Sequence, residues 1–368
     1  MNKILIVFRP TSQVHLVSRL RKQMLERGIN VEAFNTVTWD YIDSDAQLPT
    51  SYKMFKEVFR ISIIGKVLRK IINTRLLCEI SKDYDYVDIH FFSRDYISFL
   101  LKLKKPYKIT IWGSDFYRAT DQDAERKRPC YRNSKLIQVE TSSVKRDFLK
   151  YEPNLADKIR ICNFGIDIID KIDELDGLNN KKIENEKIVL TCGYNGTEGQ
   201  QHLLMIDAVN KLPKTYRQKI KMQIPATYGL SSGYKERLQK ALAEVDFDHT
   251  IIDRRLSEME LAELRLRSDI VLNIQITDTL SSSLLQHLYA GGILIVGDWL
   301  PYEIYDENGL FYISTSIPEL PENIKKCIDN MNIYKSKCIE NRAKVKSFAS
   351  WEAVSNKQYH IYRDLLGE

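Results

Sequence analysis

The sequence predicts an α/β protein made of two tandem, doubly wound domains, each with a parallel sheet covered by helices. The first observation is length, because 368 residues exceed the roughly 250–300 residues at which a single hydrophobic core stops growing. The second is the alternation of short β-branched runs with helical patterns along nearly the whole chain. The third is that the runs are apolar throughout, which is typical of strands buried on both faces of a parallel sheet.

The predicted elements fall into two similar halves. Strands in the first half are predicted at Lys3–Phe8, Asn30–Phe34, Tyr86–Phe91, Lys108–Trp112, Lys135–Glu140 and Ile159–Asn163. Strands in the second half are predicted at Lys187–Cys192, Lys219–Pro225, His249–Asp253, Asp269–Gln275, Gly292–Val296 and Leu310–Ser314. Helices are predicted between most of them, at Ser12–Arg27, Lys53–Cys78, Ser93–Leu103, Ser142–Lys150, Gln200–Lys211, Tyr234–Glu244, Ser257–Arg267 and Ser281–Ala290.

A polar segment separates the two halves. Ile168–Glu186 is rich in Asp, Asn, Lys and Glu and shows no core periodicity, so it predicts an interdomain linker. The first domain then covers residues 1–167, the second covers 187–345, and residues 346–368 form a closing helix. Ligands of doubly wound folds bind beyond the carboxyl ends of the strands, so we expect the ligand crevice to lie between the two domains.

Composition narrows the class of protein. The chain is 43% hydrophobic and 28% charged, as a soluble globular protein is, and its net charge of +6 is too small to imply nucleic-acid binding. No run approaches the ~20 apolar residues of a membrane span. The opening MNKILIVF is followed at once by Arg9, which predicts a first strand rather than a signal peptide. We therefore expect a cytoplasmic location. None of the six cysteines has a close metal-ligand spacing, and we expect reduced, mostly buried thiols.

Three loops in the second half could hold a nucleotide. The first, Gly193–Gly199, follows a predicted strand and places three glycines in seven residues, which lets the backbone approach a ligand closely. Within it Gly193, Asn195 and Gly196 are candidate donor-binding residues, and the next helix start suits a phosphate. The spacing matches neither a dinucleotide fingerprint nor a Walker loop, so an ordinary tight turn is the alternative.

The second loop, Ile224–Gly233, also joins a predicted strand to a predicted helix. Tyr228 could stack on a base or ribose, and Thr227 could donate a hydrogen bond. The alternative is a flexible loop with an incidental tyrosine.

The third loop gives the sharpest prediction. Ser281, Ser282 and Ser283 stand at a predicted helix start, where unsatisfied N–H groups form an anion cradle. Asp278, just before them, could bind a hydroxyl beside the phosphates, and Gln286 lies further along the same helix. A serine-rich N-cap without a ligand is the alternative.

The first half offers candidates for the catalytic base. Asp115 follows a predicted strand, where a general base could sit, although a helix N-cap is the alternative. His15, near the start of the first predicted helix, could be a base or an acceptor ligand, and polar surface is its alternative. Asp121 and Asp123 have the spacing of a DxD metal site, but they are interpreted as part of a polar loop, so no metal is predicted.

Several of these motifs resemble known glycosyltransferases. Asp278, seven residues, Gln286 and then HLYAGGI resemble the E-x7-E signature and following helix of family 4 glycosyltransferases. There the first carboxylate approaches the donor sugar and the second approaches the ribose; here Asp278 is shorter and Gln286 is neutral. Asn163–Asp167 looks like the PNGID motif that ends the first domain, and Ser350–Glu352 looks like the FSWE segment that starts the last helix. Trp112–Tyr117 looks closer to bacterial lipid-linked 4-acetamidofucosyl transferases, as do the Gly193–Gly196 and Pro225–Gly229 loops.

The resemblance implies a fold and an activity. It implies two Rossmann-like domains of the GT-B type with an interdomain cleft and a C-terminal helix that crosses back to the first domain. It also implies a metal-independent, hexosyltransferase-like enzyme without a cofactor, which moves a sugar from a nucleotide-diphosphate donor to a bacterial surface glycan, either a polysaccharide or a lipid-linked acceptor. Family 4 suggests retention of configuration, whereas the acetamidofucosyl transferases suggest inversion with Asp115 or His15 as base. A nucleotide-sugar epimerase and a non-catalytic partner subunit or glycan-binding protein are the rival functions.

One departure from the family concerns charge. Family 4 enzymes usually carry an Arg and a Lys in the first loop and helix of the second domain, and this loop has no cation. Backbone amides are expected to replace them, together with Arg254 or Arg255 after a predicted strand; for these arginines a solvated surface pair is the alternative.

A basic segment could bring the protein to a membrane surface. Lys53–Leu77 has apolar residues at helical spacing and basic residues on the flank, a pattern that suits an anionic leaflet. A packed helix with a basic solvated face is the alternative.

Overall fold

A computed structural model describes residues 2–9, 14–53, 65–178 and 186–367, with side chains described for all of these except 65–70 and 178. The chain divides into two compact units, one formed by Met1–Phe164 with Val354–Glu368 and the other by Gly165–Ala353. Each unit contains one largely or wholly parallel sheet with its own hydrophobic core.

The first unit has a seven-stranded sheet in the order β3-β2-β1-β4-β5-β6-β7. Its strands are β1 Lys3–Phe8, β2 Asn30–Asn35, β3 Asp40–Tyr41, β4 Tyr86–His90, β5 Tyr107–Thr110, β6 Leu136–Val139 and β7 Ile159–Ile161. All neighbours are parallel except the short edge pair β2 and β3. Helices of the unit are Val14–Glu26, Gly65–Ile80, Ile97–Leu100, Ser114–Tyr117, Asp121–Asn133 and Ser142–Tyr151. The six predicted strands are confirmed, with ends that differ by at most two residues, whereas the short edge strand β3 was not predicted.

The second unit has a six-stranded, fully parallel sheet in the order β10-β9-β8-β11-β12-β13. Its strands are β8 Ile188–Cys192, β9 Ile220–Pro225, β10 Asp248–Ile252, β11 Ile270–Asn273, β12 Ile293–Gly297 and β13 Ile313–Thr315. Its helices are Ile169–Leu178, His202–Asn210, Lys214–Arg217, Ser232–Ala243, Glu258–Arg267, Ser282–Tyr289, Glu303–Glu307, Leu320–Asp329 and Met331–Ala349. Every residue of β11 and β12 is buried, as the continuous apolar runs predicted.

The predicted linker is wrong over its first half. Ile169–Leu178 is a helix, and Ile169 and Ile172 are buried in a core cluster of the second unit. Arg342 also holds this helix, with its Nη2 atom 2.6 Å from Asp173 Oδ1. Isoleucines three residues apart give the helix one apolar face, which the polar average composition of the segment obscured. Residues 179–185 lie outside the described residues.

The predicted polar loop at Asp121–Asp123 is also wrong. It is the first turn of the helix Asp121–Asn133, where the Thr120 hydroxyl accepts a hydrogen bond from the Asp123 N–H group. Acidic residues behind a threonine N-cap are favourable at a helix start, because they complement its free amides and its partial positive charge. Lys127, Cys130 and Tyr131 form the buried face of this helix.

The final helix, Trp351–Leu366, belongs to both units. It starts in the second unit, and from Val354 onward it is part of the first. In the first unit Lys135 Nζ donates to the Leu365 carbonyl oxygen at 2.7 Å, and Tyr362 Oη donates to Asp88 Oδ2 at 2.9 Å. The return of the last helix to the first domain, which the FSWE resemblance implied, is therefore confirmed.

Tyr362 joins a buried polar network beneath this helix. Asp88 Oδ2 lies 2.9 Å from Lys108 Nζ and 3.0 Å from His90 Nε2, and all four side chains are almost fully buried. Lys108 also donates to Gln138 Oε1 at 2.6 Å. Although burial opposes its ionisation, His90 and Lys108 hold the pKa of Asp88 well below its usual range. The network is an ion pair whose charges are compensated locally.

The predicted basic helix and the cysteines bear on the membrane and redox predictions. Side chains at 54–70, most of the predicted basic helix Lys53–Leu77, lie outside the description. Among the described helices, none combines the length and the apolar character that crossing a bilayer requires. All six cysteines are free thiols, and five of them are buried.

Candidate functional site

The topology of the second sheet identifies where a ligand is expected. From β8 the chain proceeds to β9 and β10 on one side and then returns to β11, β12 and β13 on the other. The strands β8 and β11 are therefore neighbours whose connections leave in opposite directions. Doubly wound folds bind ligands beyond the carboxyl ends of the strands at such a point. The loops after β8, β9 and β11 contain most of the predicted donor-binding residues.

Glycines let the first two of these loops pack tightly. Gly193 has a φ of +66°, and a Cβ atom there would lie 2.6 Å from Gln200 Oε1. At Gly196 a Cβ atom would lie 2.6 Å from Leu230 Cβ and 2.9 Å from Leu230 Cα, in the loop after β9. The Gly196 N–H group donates to the Tyr228 carbonyl oxygen at 2.8 Å. The two loops are thus joined backbone to backbone at Gly196.

Replacing Gly196 by alanine is expected to lower the free energy of unfolding by about 1–3 kcal/mol, because the new methyl group overlaps the Leu230 backbone. Urea denaturation measures this change. Gly233→Ala is the matched control, since Gly233 stands early in the helix Ser232–Ala243 and has nothing within 4 Å of its Cβ position. Equal stability of Gly196→Ala and the wild type would contradict the close approach of the loops.

Asn195 shapes its own loop. It is buried, and its Oδ1 atom accepts from the Thr197 N–H group at 2.9 Å and from Thr197 Oγ1 at 2.7 Å. Its Nδ2 atom lies 3.5 Å from the hydroxyl oxygen of Tyr228. The Tyr228 side chain is 60% exposed, whereas Thr227 is half-buried. Base stacking by Tyr228 and direct ligand binding by Asn195 and Thr227 stay predictions.

Tyr194 and Gln200, which the sequence analysis did not select, link the first loop to Gln275 after β11. Tyr194 Oη donates to Gln275 Oε1 at 3.2 Å, and Gln200 Nε2 donates to the same oxygen at 2.8 Å. Gln275 follows β11 and is only 5% exposed, yet its Nε2 atom has no partner among the described residues. An amide that is buried without an acceptor is an available donor at the switch point.

Asp278 lies among tyrosines. Its Oδ1 atom accepts from the Thr279 N–H group at 2.9 Å, and its Oδ2 atom accepts from Tyr302 Oη at 2.5 Å. The Tyr302 hydroxyl in turn accepts from Asn273 Nδ2 at 2.8 Å. Burial, and then the negative charge of Asp278, raise the pKa of Tyr302 well above its usual value. The carboxylate is therefore oriented by a neutral phenol that stays protonated.

The serine-rich segment starts a helix, as predicted. Ser281 is the N-cap residue of Ser282–Tyr289, but its side chain makes no capping hydrogen bond. An α-helix leaves its first N–H groups without intrahelical partners, so an uncapped start has donors available for an anion. Gln286, one turn further, is buried, and its Nε2 atom lies 3.5 Å from Ser282 Oγ.

The residue that the sequence analysis missed here is Arg265, near the end of the helix Glu258–Arg267. Its side chain contacts three neutral acceptors, Ser283 Oγ at 2.7 Å, His287 Nε2 at 2.9 Å and Gln286 Oε1 at 3.1 Å. Burial lowers the pKa of Arg265 to about 10, which leaves the guanidinium charged at neutral pH. The one signal in the sequence is its helical position, since Arg265 lies three residues after Ala262 and so on the same face; that spacing does not identify its partners.

Arg254, in contrast, is an exposed ion-pair residue. Its Nη2 atom lies 2.6 Å from Glu260 Oε1, and Glu260 also accepts from the Ser257 N–H group in a capping box. These contacts fit the alternative interpretation of a solvated surface pair. Donor binding by Arg254 stays a prediction.

The candidate bases lie in the first unit. The Asp115 carboxylate accepts from the Phe92 N–H group at 2.7 Å and from the Trp112 N–H group at 2.8 Å, and so connects the loops after β4 and β5. Burial raises the pKa of Asp115 to about 6, although Lys127 and both amides lower it. A pKa near neutrality suits a general base, while the two amide bonds give the carboxylate a structural role. His15 is exposed in the first turn of Val14–Glu26. Both catalytic assignments stay predictions.

The described residues contain no group of three or more His, Cys, Asp or Glu side chains arranged to hold a metal ion. Metal independence is a separate statement about the reaction, and it stays a prediction.

Comparison with known proteins identifies the fold. No family model and no curated protein matches the chain. Among solved structures, a glycosyltransferase from Rickettsia africae matches with a TM-score of 0.75 at 14% identity, over 99% of this chain and 98% of that one. Sucrose-phosphate synthase from Thermosynechococcus elongatus matches with a TM-score of 0.74 at 12% identity over 100% of both chains. Anabaena HepE in complex with UDP and glucose matches with a TM-score of 0.68 at 12% identity, over 98% and 99%. The chain thus has the two-domain Rossmann-like fold of GT-B glycosyltransferases.

Proposed function

We propose that the protein is a glycosyltransferase that uses a nucleotide-diphosphate sugar as donor and needs no metal ion. The observation that carries the proposal is the uncapped serine helix start at the switch point between β8 and β11. Support also comes from the fold, since solved structures that share it include Anabaena HepE in complex with UDP and the same protein in complex with UDP-glucose.

The proposed donor site assigns one part of the donor to each loop. The diphosphate binds the first amides of Ser282–Tyr289, which stabilise the negative charge that develops on the leaving group. Asp278 accepts a hydrogen bond from a hydroxyl of the sugar, Gln286 bonds the ribose, and the exposed ring of Tyr228 stacks on the base.

The proposed reaction joins an acceptor hydroxyl oxygen to the anomeric carbon of the donor sugar. The bond from that carbon to the diphosphate oxygen breaks, and the nucleoside diphosphate leaves with the bonding electrons. In an inverting reaction Asp115 or His15 receives the hydroxyl proton. The proposed acceptor is a bacterial surface glycan, either a polysaccharide or a lipid-linked one, and the enzyme acts in the cytoplasm, where Lys53–Leu77 docks on an anionic membrane surface.

We expect nucleoside diphosphates to raise the melting temperature of the purified protein, because a ligand that binds the native state stabilises it by mass action. A thermal-shift series with UDP, GDP and dTDP, each compared with its nucleoside, measures the effect. Incubation with UDP-glucose and mass analysis of the products then separates the functions. Released UDP indicates transfer or hydrolysis, an altered sugar nucleotide indicates an epimerase, and binding without turnover indicates a non-catalytic protein. Absence of a shift with every nucleoside diphosphate would overturn the donor site.

A further inference from the structure

Arg265 is a buried cation whose charge is not compensated. Its side chain is 5% exposed, and in the described part of the chain no carboxylate lies within ion-pair distance of it. Lys108, which is also buried, has the Asp88 carboxylate 2.9 Å away. Burying a charge without a counter-charge is unfavourable, even when neutral groups accept all of its hydrogen bonds. The described residues therefore leave an excess positive charge at Arg265.

The charge lies beside a second source of positive potential. The Arg265 guanidinium donates to Ser283 in the first turn of Ser282–Tyr289 and to Gln286 in the next turn. The start of that helix carries a partial positive charge, so the cation and the helix end repel each other. An anion bound close to both would offset this repulsion. His287, the third partner, cannot compensate the charge, because an imidazole ring supplies no negative charge; burial holds its pKa well below the usual value and keeps the ring neutral.

The Gln275 amide is an independent observation that points to a ligand at this site. Gln275 is buried in the loop after β11, and its Nε2 donor has no acceptor within the described ranges of the chain. Its Oε1 atom is held by Tyr194 and Gln200, which fixes the orientation of the amide. Donors without acceptors, a helix start and an excess positive charge together suit a strongly anionic group of oxygens, as in a diphosphate.

We infer that Arg265 is a positioning residue for the diphosphate of a nucleoside-diphosphate ligand, and that its charge replaces the cations missing from the loop after β8. This inference rests on the proposed function. Arg265 acts through its neighbours, because it fixes the Ser283 hydroxyl and the Gln286 amide and adds its field to that of the helix start. The oxygens of the ligand need not touch the guanidinium itself.

The test compares Arg265→Gln and Arg265→Lys with the wild type by isothermal titration calorimetry, with UDP, UMP and uridine as probes. We expect Arg265→Gln to weaken UDP binding about 10- to 100-fold, the range expected for losing an interaction with a charged group. The loss should be smaller for UMP and smallest for uridine, because the phosphates interact with the charge, whereas uridine is affected only through the bond of Gln286 to the ribose. Arg265→Lys should recover part of the UDP affinity. A structural role alone would weaken all three ligands alike.

Arg267→Gln is the matched control, because Arg267 lies on the same helix but is exposed and paired with Glu263. It should leave UDP binding within about twofold of the wild type, since exposed pairs contribute little.

Gln286→Glu provides a second variant that does not remove the cation. A carboxylate at this position would lie where Gln286 Oε1 now accepts from Arg265 at 3.1 Å and would compensate its charge. We expect the ligand-free variant to melt at a higher temperature than the wild type and to bind UDP more weakly.

The outcomes are distinguishable. If the wild type binds UDP while folded Arg265→Gln binds it equally well, the inference fails and the proposed function stands. If Arg265→Gln does not fold, Arg265→Lys and Gln286→Glu decide; wild-type UDP affinity in both overturns the inference. If the wild type binds no nucleoside diphosphate, the proposed function fails and the inference fails with it, although a raised melting temperature of Gln286→Glu would still show the uncompensated charge.

Discussion

Asp278→Asn is expected to lower kcat/KM about 10- to 100-fold, since the variant loses a charged acceptor while the Tyr302 hydroxyl can still donate to the amide oxygen. In the proposed reaction this carboxylate bonds a hydroxyl of the donor sugar, and a hydrogen bond to an ionised acceptor is roughly twice as strong as a neutral one. The measurement is the initial rate of UDP release from UDP-glucose. The free energy of unfolding should change little, because Asp278 is half-buried and asparagine has nearly the same shape as aspartate.

The control for this prediction is Asp253→Asn. Asp253 also follows a strand of the second sheet, β10, but it forms an exposed ion pair with Lys235. We expect wild-type rates for this control. Wild-type rates for Asp278→Asn, in a protein that still binds UDP, would remove Asp278 from the donor site.

Asp88→Ala is expected to lower the free energy of unfolding by about 3–5 kcal/mol, because it leaves Lys108 as an uncompensated buried cation. Urea denaturation monitored by circular dichroism measures the change. The double variant Asp88→Leu with Lys108→Met removes both charges, and it should recover most of the loss. If the double variant lost as much unfolding free energy as Asp88→Leu and Lys108→Met lose together as single variants, the two side chains would not compensate each other.

Acidification gives a further readout of the same pair. The pKa of Asp88 is lower in the folded protein than in the unfolded chain, so the unfolded state binds this proton more readily. The carboxylate therefore contributes stability above its ordinary pKa of about 4, and this contribution is lost as the pH falls below that value. Asp88→Ala should show a correspondingly weaker loss of stability between about pH 4 and pH 2.

Local patterns were sufficient to predict most of the fold. Continuous apolar runs gave the strands, and Ser281–Ser283 gave the start of a helix, because both signals depend on neighbours in the sequence. The helix Ile169–Leu178 was missed since its average composition is polar and only its periodicity is apolar. Average composition is the weaker of the two signals when a helix buries a single face.

The candidate site was predictable only in part. Asp278 and Gln286 were found from their spacing, but their partners were not, because Tyr302 and Arg265 are more than twenty residues away in the chain. Arg254 was predicted to replace the missing loop cations because it follows a strand. In the structure it is paired with Glu260. A buried, uncompensated charge is visible only when the tertiary neighbours of the side chain are known.

The division of the final helix between the two units has a consequence for biosynthesis. The first sheet emerges early from the ribosome, yet Tyr362, which bonds the Asp88 carboxylate, is translated only after the whole of Gly165–Ala353. At about 5–20 residues per second, that interval is on the order of ten seconds or more. During it Asp88 and Lys108 lack the helix that shields them from water. The N-terminal domain therefore cannot complete its folding first, and a fragment that stops before Val354 should be a poor substitute for the domain.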